Sequence, residues 1–451
     1  MPKQYVQSYT YAPQRLAQML EKSPYEAYVY SYPHKTAYRP IEPAVPLRTL
    51  WEKESREALF LYVHIPFCEM RCGFCNLFTT VRPDEGLVSA YIETLERQAR
   101  LMREVLGQVS FARLAIGGGT PTYLSLSHLE RVLDMAEGTM GARLPQIPVS
   151  VEVSPETATA DRLQLLHERG VNRISIGVQS FIDSEVAAIH RRQRVAQVEE
   201  TLSRIRRAGF ATLNIDLMYG LPAQTIDSWL DSIRAALRFH AEEIFLYPLY
   251  VRPVTRMGVS KQEWDDQRLA CYRAGRDLLL AEGYQQITMR LFRASHAPTA
   301  NGAVYRCQED GMVGLGCGAR SYTDKMHYSS NYAVGPRNVN KILRHFVETP
   351  DKSFTHATYG FPLNQEERRR RYILLSLLSH EGLWLTRYRQ RFGTAAFDDV
   401  PELTDLMPLG LATSQNQHLR LTPLGMERSD TIGPWLFSPS VRQLMRGYDL
   451  Q

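Results

Sequence analysis

Six cysteines occur in 451 residues, and three of them crowd into one short stretch. It reads Tyr62-Val-His-Ile-Pro-Phe-Cys68-Glu-Met-Arg-Cys72-Gly-Phe-Cys75, a C-x3-C-x2-C spacing. Thiolates are the normal ligands of iron–sulfur clusters, and three on one loop can wrap a four-iron cubane. Such a cluster takes four ligands, so a three-cysteine loop leaves one iron with an open position for a chelating small molecule. The competing arrangement is a zinc knuckle completed by His64, but His64 falls inside a strand pattern. Six cysteines are too few for a disulfide scaffold at this length. Cys271 on a helical stretch reads as core, and Cys317 as a small buried residue rather than a reactive thiol.

The elements that must position this loop follow from periodicity. Between Leu59 and Arg290, short apolar or β-branched runs alternate with amphipathic stretches such as Leu87–Leu106 and Val195–Ala208. The strand candidates are Leu59–Ile65, Leu114–Ile116, Val149–Val153, Arg173–Gly177, Thr212–Met218 and Glu243–Pro248. Repeated βαβ units give parallel strands with helices outside, and right-handed crossovers wind them into a barrel. Six units fall short of eight, so the expected fold is α/β, a partial (β/α)6 barrel. The chemically distinctive residues all follow the C-terminal ends of these strands, the face where barrel active sites sit.

Beside the cysteines, Ala115-Ile-Gly-Gly-Gly-Thr-Pro-Thr122 ends the second strand. Glycines there let backbone approach a ligand with no Cβ in the way. Glu152 lies in the apolar run Val149–Val153, where a carboxylate is costly to bury without hydrogen bonds. A sugar's hydroxyls, or a salt bridge inside the barrel, would supply them. Gln179 ends another strand, and His190-Arg-Arg-Gln-Arg194 follows one helix later.

The rest of the chain frames this core. Tyr and Pro crowd the first fifty residues (Tyr25-Glu-Ala-Tyr-Val-Tyr-Ser-Tyr-Pro33), predicting an arm of extended pieces over residues 1–55. The barrel with a Gly-rich extension is expected over 56–330. Over 331–451 the alternation stops; a helix at Gln365–Ser379 and a strand-turn at Leu419–Gly425 predict a small helical, winged-helix-like domain. The run Arg368–Arg371 reads as a solvated helix face. No apolar run approaches the ~18 residues of a membrane helix, and Met1-Pro-Lys-Gln-Tyr-Val lacks an apolar leader core, so a cytoplasmic protein is expected. A net charge of +5, spread along the chain, suits an anionic small molecule and does not predict nucleic-acid binding.

With these motifs in register, the chain resembles the radical S-adenosylmethionine (SAM) superfamily. Within it, the chain is similar to the oxygen-independent coproporphyrinogen III oxidase family and its relatives, the heme chaperones and class C radical SAM methyltransferases, over roughly residues 25–440. The resemblance implies a [4Fe-4S] cluster on Cys68, Cys72 and Cys75, with SAM on the open iron. Electron transfer from the cluster then splits SAM to a 5′-deoxyadenosyl radical that abstracts hydrogen from a small-molecule substrate. It also implies that Tyr62, Gly118, Gly119, Thr120, Glu152, Gln179, Arg191 and Asp216 surround SAM. Asp216 lies in Asn214-Ile-Asp-Leu-Met-Tyr-Gly-Leu-Pro222, close to the family's own segment. Phe74, Gly119, Gln179, Arg191 and Asp216 match contacts of a second SAM in the family oxidase, so one or two SAM molecules are expected. An electron donor such as flavodoxin or ferredoxin is implied.

The sequence departs from the oxidase proper at Leu77, where that enzyme carries a fourth cysteine. Conversely, Tyr30-Ser-Tyr-Pro33 resembles the oxidase's N-terminal arm, which heme chaperones usually lack. Three outcomes therefore stand: a radical SAM enzyme on a tetrapyrrole or natural-product substrate that decarboxylates it or transfers a methyl or methylene unit, the coproporphyrinogen III dehydrogenase itself, or a heme chaperone. Arg252, Arg290, Arg293 and Arg320 are candidates to meet substrate carboxylates.

Overall fold

The computed structural model describes residues 14–250, 264–299 and 302–448. Six parallel strands lie side by side in chain order: Leu59–Ile65, Phe111–Gly118, Val149–Val153, Arg173–Gln179, Thr212–Tyr219 and Glu243–Pro248. We call these barrel strands one to six. Along strand one, Leu59, Leu61, Val63 and Ile65 are buried in the main core, while Phe60 and Tyr62 line the lumen. Side chains alternate across a strand, so apolar residues meet the outer helices and polar residues face inward.

Helices cover the outside between strands. Glu85–Leu106 starts where Asp84 accepts the Leu87 N–H and stops at Gly107. Ile226–Leu237 begins with a capping box between Thr225 and Ser228. These caps satisfy backbone donors that the helix cannot.

The barrel does not close. Beyond strand one the sheet continues through Met312–Leu315, parallel to it, then Arg320–Tyr322, Met326–Ser329, His356–Pro362 and, at the edge, Arg39–Pro46. Beyond strand six, Leu291–Ala294 and Tyr284–Gln286 add antiparallel strands, making thirteen in all. The arm is thus more than extended pieces: it includes helices Gln14–Lys22 and Leu47–Trp51 and contributes that edge strand.

A second core joins the arm to the C-terminal region, with Leu16, Tyr32, Ala37 and Tyr38 packed among residues such as Tyr372, Leu403 and Trp435. Its scaffold is helical, with a small antiparallel sheet of Leu383–Trp384, His418–Leu421 and Ala412–Gln415. The arginine run is not solvated. Arg370 and Arg371 are 6% and 4% exposed, and Arg368, Arg369 and Arg370 pair with Asp324, Asp399 and Glu402. Charge-run reasoning missed this because the partners come from distant segments. No helix among the described residues is long and apolar enough to cross a membrane.

Candidate functional site

The cysteine loop leaves strand one directly. Its backbone is pinned: Thr80 N–H donates to Pro66 O, Arg82 N–H to Cys68 O, and Gly73 N–H to Ile189 O, at 2.7, 3.0 and 2.9 Å. Cys68, Cys72 and Cys75 are all free and partly buried. Burial pushes the Cys68 thiol up to about 12 and raises Cys75 as well. A cationic iron centre reverses that preference, because metal binding deprotonates thiols.

The neighbours fit a cluster on this loop. The Arg191 guanidinium donates to Cys72 Sγ at 3.2 Å and to Gly177 O at 2.6 Å, while its Nε meets Gln193. Thr120 Oγ1 lies 3.7 Å from Cys68 Sγ. A Cβ on Gly119 would lie 2.5 Å from Phe67 O and 3.0 Å from Cys68 Sγ, so only glycine lets this strand end pass the loop. Among the described residues no three His, Cys, Asp or Glu side chains converge as a single-ion site. His64 is engaged elsewhere: its Nε2–H donates to Phe78 O at 3.0 Å, leaving Nδ1 to accept from the Tyr62 hydroxyl at 3.1 Å. Burial lowers its pKa to about 4, so the ring is neutral.

Around the loop, strand ends bring further polar groups together. Gly118 has φ +111, a region closed to most side chains, and donates its N–H to Glu152 Oε2 at 3.0 Å. Glu152 is open to the lumen yet walled by protein; that burial raises its pKa, opposed by the Gly118 hydrogen bond and by Arg173. Asp216 accepts from Asn214 Nδ2 at 2.8 Å, and burial pushes it up to about 7. Gln179 is buried with φ +70, at the irregularity where strand four slips against strand five. Strained backbone of this kind clusters at functional sites. Phe74 packs against Ile189, Met218, Leu221 and Leu249.

Two cavities adjoin these groups. The smaller, about 120 Å³, is lined by Tyr62, His64, Gly118, Glu152 and Arg320 among others. The larger, about 450 Å³, shares Tyr62, Glu152 and Arg320 and continues past Asp216 to Arg113, Arg173, His327 and Arg371. Sequence reasoning missed Arg113, Arg173 and Asn214, although the period-two alternation of strands two, four and five could have placed them in the lumen. Nothing local marks His327 or Arg371, which arrive from outside the six barrel strands.

Of the four arginines expected to meet substrate, Arg320 lines both of these cavities, whereas Arg290 and Arg293 line neither; Arg252 lies outside the described residues. Arg290 is 2% exposed and forks onto Asp430, under Tyr28 at 3.9 Å. Arg293 donates to Pro298 O and lies 3.9 Å from Glu243. Both serve the fold.

Comparison with known proteins agrees with this architecture. The radical SAM superfamily model matches residues 62–236, and the HemN C-terminal domain model matches 363–427. The chain is 29% identical over 381 residues to the heme chaperone HemW of Bacillus subtilis, covering 81% of this chain and 95% of that protein. It is 35% identical over 209 residues to the oxygen-independent coproporphyrinogen III oxidase of Bradyrhizobium diazoefficiens, covering 46% of each. The solved structure of the Escherichia coli coproporphyrinogen III oxidase HemN superimposes with a TM-score of 0.76 at 23% identity, covering 91% of this chain and 96% of that one; this likeness concerns the fold. Membership of the superfamily implies SAM and a [4Fe-4S] cluster. Residues 62–236 belong to the radical SAM superfamily and residues 363–427 match the HemN C-terminal domain, so the chain resembles the oxygen-independent coproporphyrinogen III oxidases and the heme chaperones alike.

Proposed function

We propose that this protein is a SAM-cleaving enzyme whose cluster is held by Cys68, Cys72 and Cys75 and whose substrate occupies the 450 Å³ cavity. The observation that carries this reading is the meeting of three free thiols, the Arg191 guanidinium and the glycine strand end at one barrel mouth. When bound, the cluster and SAM supply reductive cleavage and a 5′-deoxyadenosyl radical for hydrogen abstraction.

The chain's own residues bind, orient and exclude water. Tyr62, Gly118, Gly119, Thr120, Glu152, Gln179, Arg191 and Asp216 would hold SAM between the thiols and the cavity. Glu152 and Asp216 are acceptors suited to hydroxyls, and glycine at 118 lets the backbone pass the His64 ring, which fills the space a Cβ would take. Arg191 suits a carboxylate through parallel hydrogen bonds, and its hold on Gly177 O keeps it facing the loop. The barrel walls around the cavity limit side reactions with solvent. Phe74, Gly119, Gln179, Arg191 and Asp216 would serve a second SAM. A SAM titration that saturates at one equivalent per chain excludes that second site. Arg71, Arg82, Arg192 and Arg194 rim a surface cavity beside the loop, which suits an acidic electron donor such as flavodoxin or ferredoxin.

The substrate is a small molecule, and the relatives point to a tetrapyrrole. Decarboxylation and methyl transfer differ in products: methyl transfer releases S-adenosylhomocysteine as well as 5′-deoxyadenosine, and decarboxylation releases carbon dioxide. Leu77, 47% exposed, stands against the oxidase proper. The 95% coverage of a heme chaperone favours a second reading, heme trafficking. Anaerobic reconstitution followed by mass spectrometry of SAM products with candidate porphyrinogens tests these. Substrate-coupled 5′-deoxyadenosine supports the enzyme; tight heme binding with no substrate-coupled cleavage replaces it with the chaperone.

A further inference from the structure

Among the described residues, buried arginines outside the larger cavity have a carboxylate: Arg268 pairs with Asp265, Arg290 with Asp430, and Arg370 with Glu402. Three arginines lining the larger cavity do not. Among the described residues Arg113, Arg320 and Arg371 form no ion pair with an acidic side chain. Arg320 donates to the Tyr30 hydroxyl at 2.7 Å and stacks over that ring, Arg371 donates to Cys307 O at 2.7 Å, and Arg113 lies over the Phe60 ring at 5.5 Å. Arg371 is 4% exposed, and a guanidinium buried without a carboxylate is costly unless an anion joins it, while Arg113 and Arg320 open onto the cavity.

The same wall holds a concentration of unsatisfied polar atoms. His327 is fully buried, and neither ring nitrogen has a hydrogen-bond partner among the described residues. The same holds for Ser31 Oγ, Tyr38 Oη and Arg371 Nε, all on residues at most 4% exposed. His327, Ser31, Arg320 and Arg371 all line the cavity. Buried polar atoms are nearly always hydrogen-bonded, so a cluster of orphans beside a cavity implies a polar occupant. The donors here are guanidinium, hydroxyl and imidazole N–H groups, the set that an oxyanion satisfies.

We infer that Arg320, Arg371, His327 and Ser31, with Arg113 beside them, form an oxyanion subsite that takes a carboxylate or phosphate group of the substrate. The inference rests on the reading that this cavity receives substrate. Burial keeps His327 neutral, so one ring nitrogen donates to the anion and the other accepts from a hydroxyl or water.

The test titrates reconstituted, air-free enzyme separately with inorganic phosphate and with succinate, reading binding by calorimetry and reductive SAM cleavage in parallel. At least one probe is expected to bind saturably with a Kd of roughly millimolar or tighter. Arg320→Gln is expected to weaken that binding by about tenfold or more. The probe that binds identifies the group as carboxylate or phosphate. His327→Phe removes the orphaned nitrogens without leaving a void. It is expected to weaken binding while holding or raising the melting temperature, whereas a purely structural histidine would lower the melting temperature. It also carries the test should Arg320→Gln not fold. Wild-type enzyme that cleaves SAM but binds neither probe overturns the subsite alone, as does binding undiminished in both variants. Wild-type enzyme that cleaves no SAM overturns the functional reading beneath it.

Discussion

Asp216 offers a direct thermodynamic test of the proposed SAM site. Asp216 lines the cavity, and burial pushes its pKa from 3.8 up to about 7, against the opposing pull of Asn214 and Arg173. The folded chain therefore holds this proton more tightly than the unfolded chain does. Between about pH 4 and 7 the native state carries the extra proton, so stability falls as pH rises through that window and the full cost is present above it. At 1.36 kcal/mol per unit, about three units give a ceiling of about 4 kcal/mol, which cavity water reduces. Asn at this position keeps an oxygen for the Asn214 amide and cannot ionise. Asp216→Asn should leave stability nearly unchanged near pH 4 and raise it increasingly toward pH 8. The gain should grow by roughly 1.5–3 kcal/mol between pH 5 and pH 8. Urea unfolding of cluster-free protein kept reduced measures it, followed by fluorescence of Trp229, which is fully buried against Tyr219. Glu152, whose pKa is also raised, is present in both proteins and largely cancels. A difference independent of pH, or a variant less stable at both, would refute the argument that Asp216 is strained in the empty site. In the loaded enzyme the same substitution should weaken SAM binding, because the group that costs stability when empty is the one proposed to accept a hydroxyl.

Cys72→Ala should abolish the brown absorbance and nearly all bound iron after reconstitution; a variant with full iron content and SAM cleavage would remove Cys72 from the ligand set. Gly118→Ala places a Cβ into the His64 ring at φ +111 and should cost roughly 2–4 kcal/mol, whereas Gly138→Ala, whose Cβ meets nothing within 4 Å, serves as the melting control. Arg290→Met leaves Asp430 buried and unpaired and should cost about 3–5 kcal/mol in denaturant unfolding, with much of the loss recovered in Arg290→Met/Asp430→Leu. A loss of substrate affinity with unchanged stability would instead return Arg290 to the substrate site.

The sequence was most legible where structure is local. Barrel strands one, three and six run over the residues that alternation marks, Leu59–Ile65, Val149–Val153 and Glu243–Pro248, because each is a short apolar run with a distinct stop. Strand two begins three residues earlier than its apolar run, since Arg113 interrupts the pattern by facing the lumen. The cysteine loop and glycine strand end were visible because their chemistry depends on spacing within a few residues. The arginines were not. Arg290 and Arg320 look alike in sequence, but Arg290 meets Asp430, 140 residues away, and Arg320 meets Tyr30, 290 residues away. Only the assembled sheet separates the fold's own ion pairs from cations left open to a cavity. The arm strand Arg39–Pro46 was hidden for the same reason: its prolines argue for extended chain, and its pairing with His356–Pro362 is set by topology.

This division of labour has a consequence for specificity. The radical SAM model spans residues 62–236, which contain every residue proposed to hold cluster or SAM. Ser31, Tyr305, Arg320, His327 and Arg371 line the proposed substrate cavity from outside that span. They come from the arm, the loop before Met312–Leu315, the strands appended beyond barrel strand one, and the helix Gln365–Leu377. Because the arm and C-terminal region share one core, the far wall of the cavity is positioned by packing that the barrel itself does not supply. Substitutions in that second core should therefore shift substrate binding before they touch SAM cleavage. Substitutions at the cysteine loop should do the reverse.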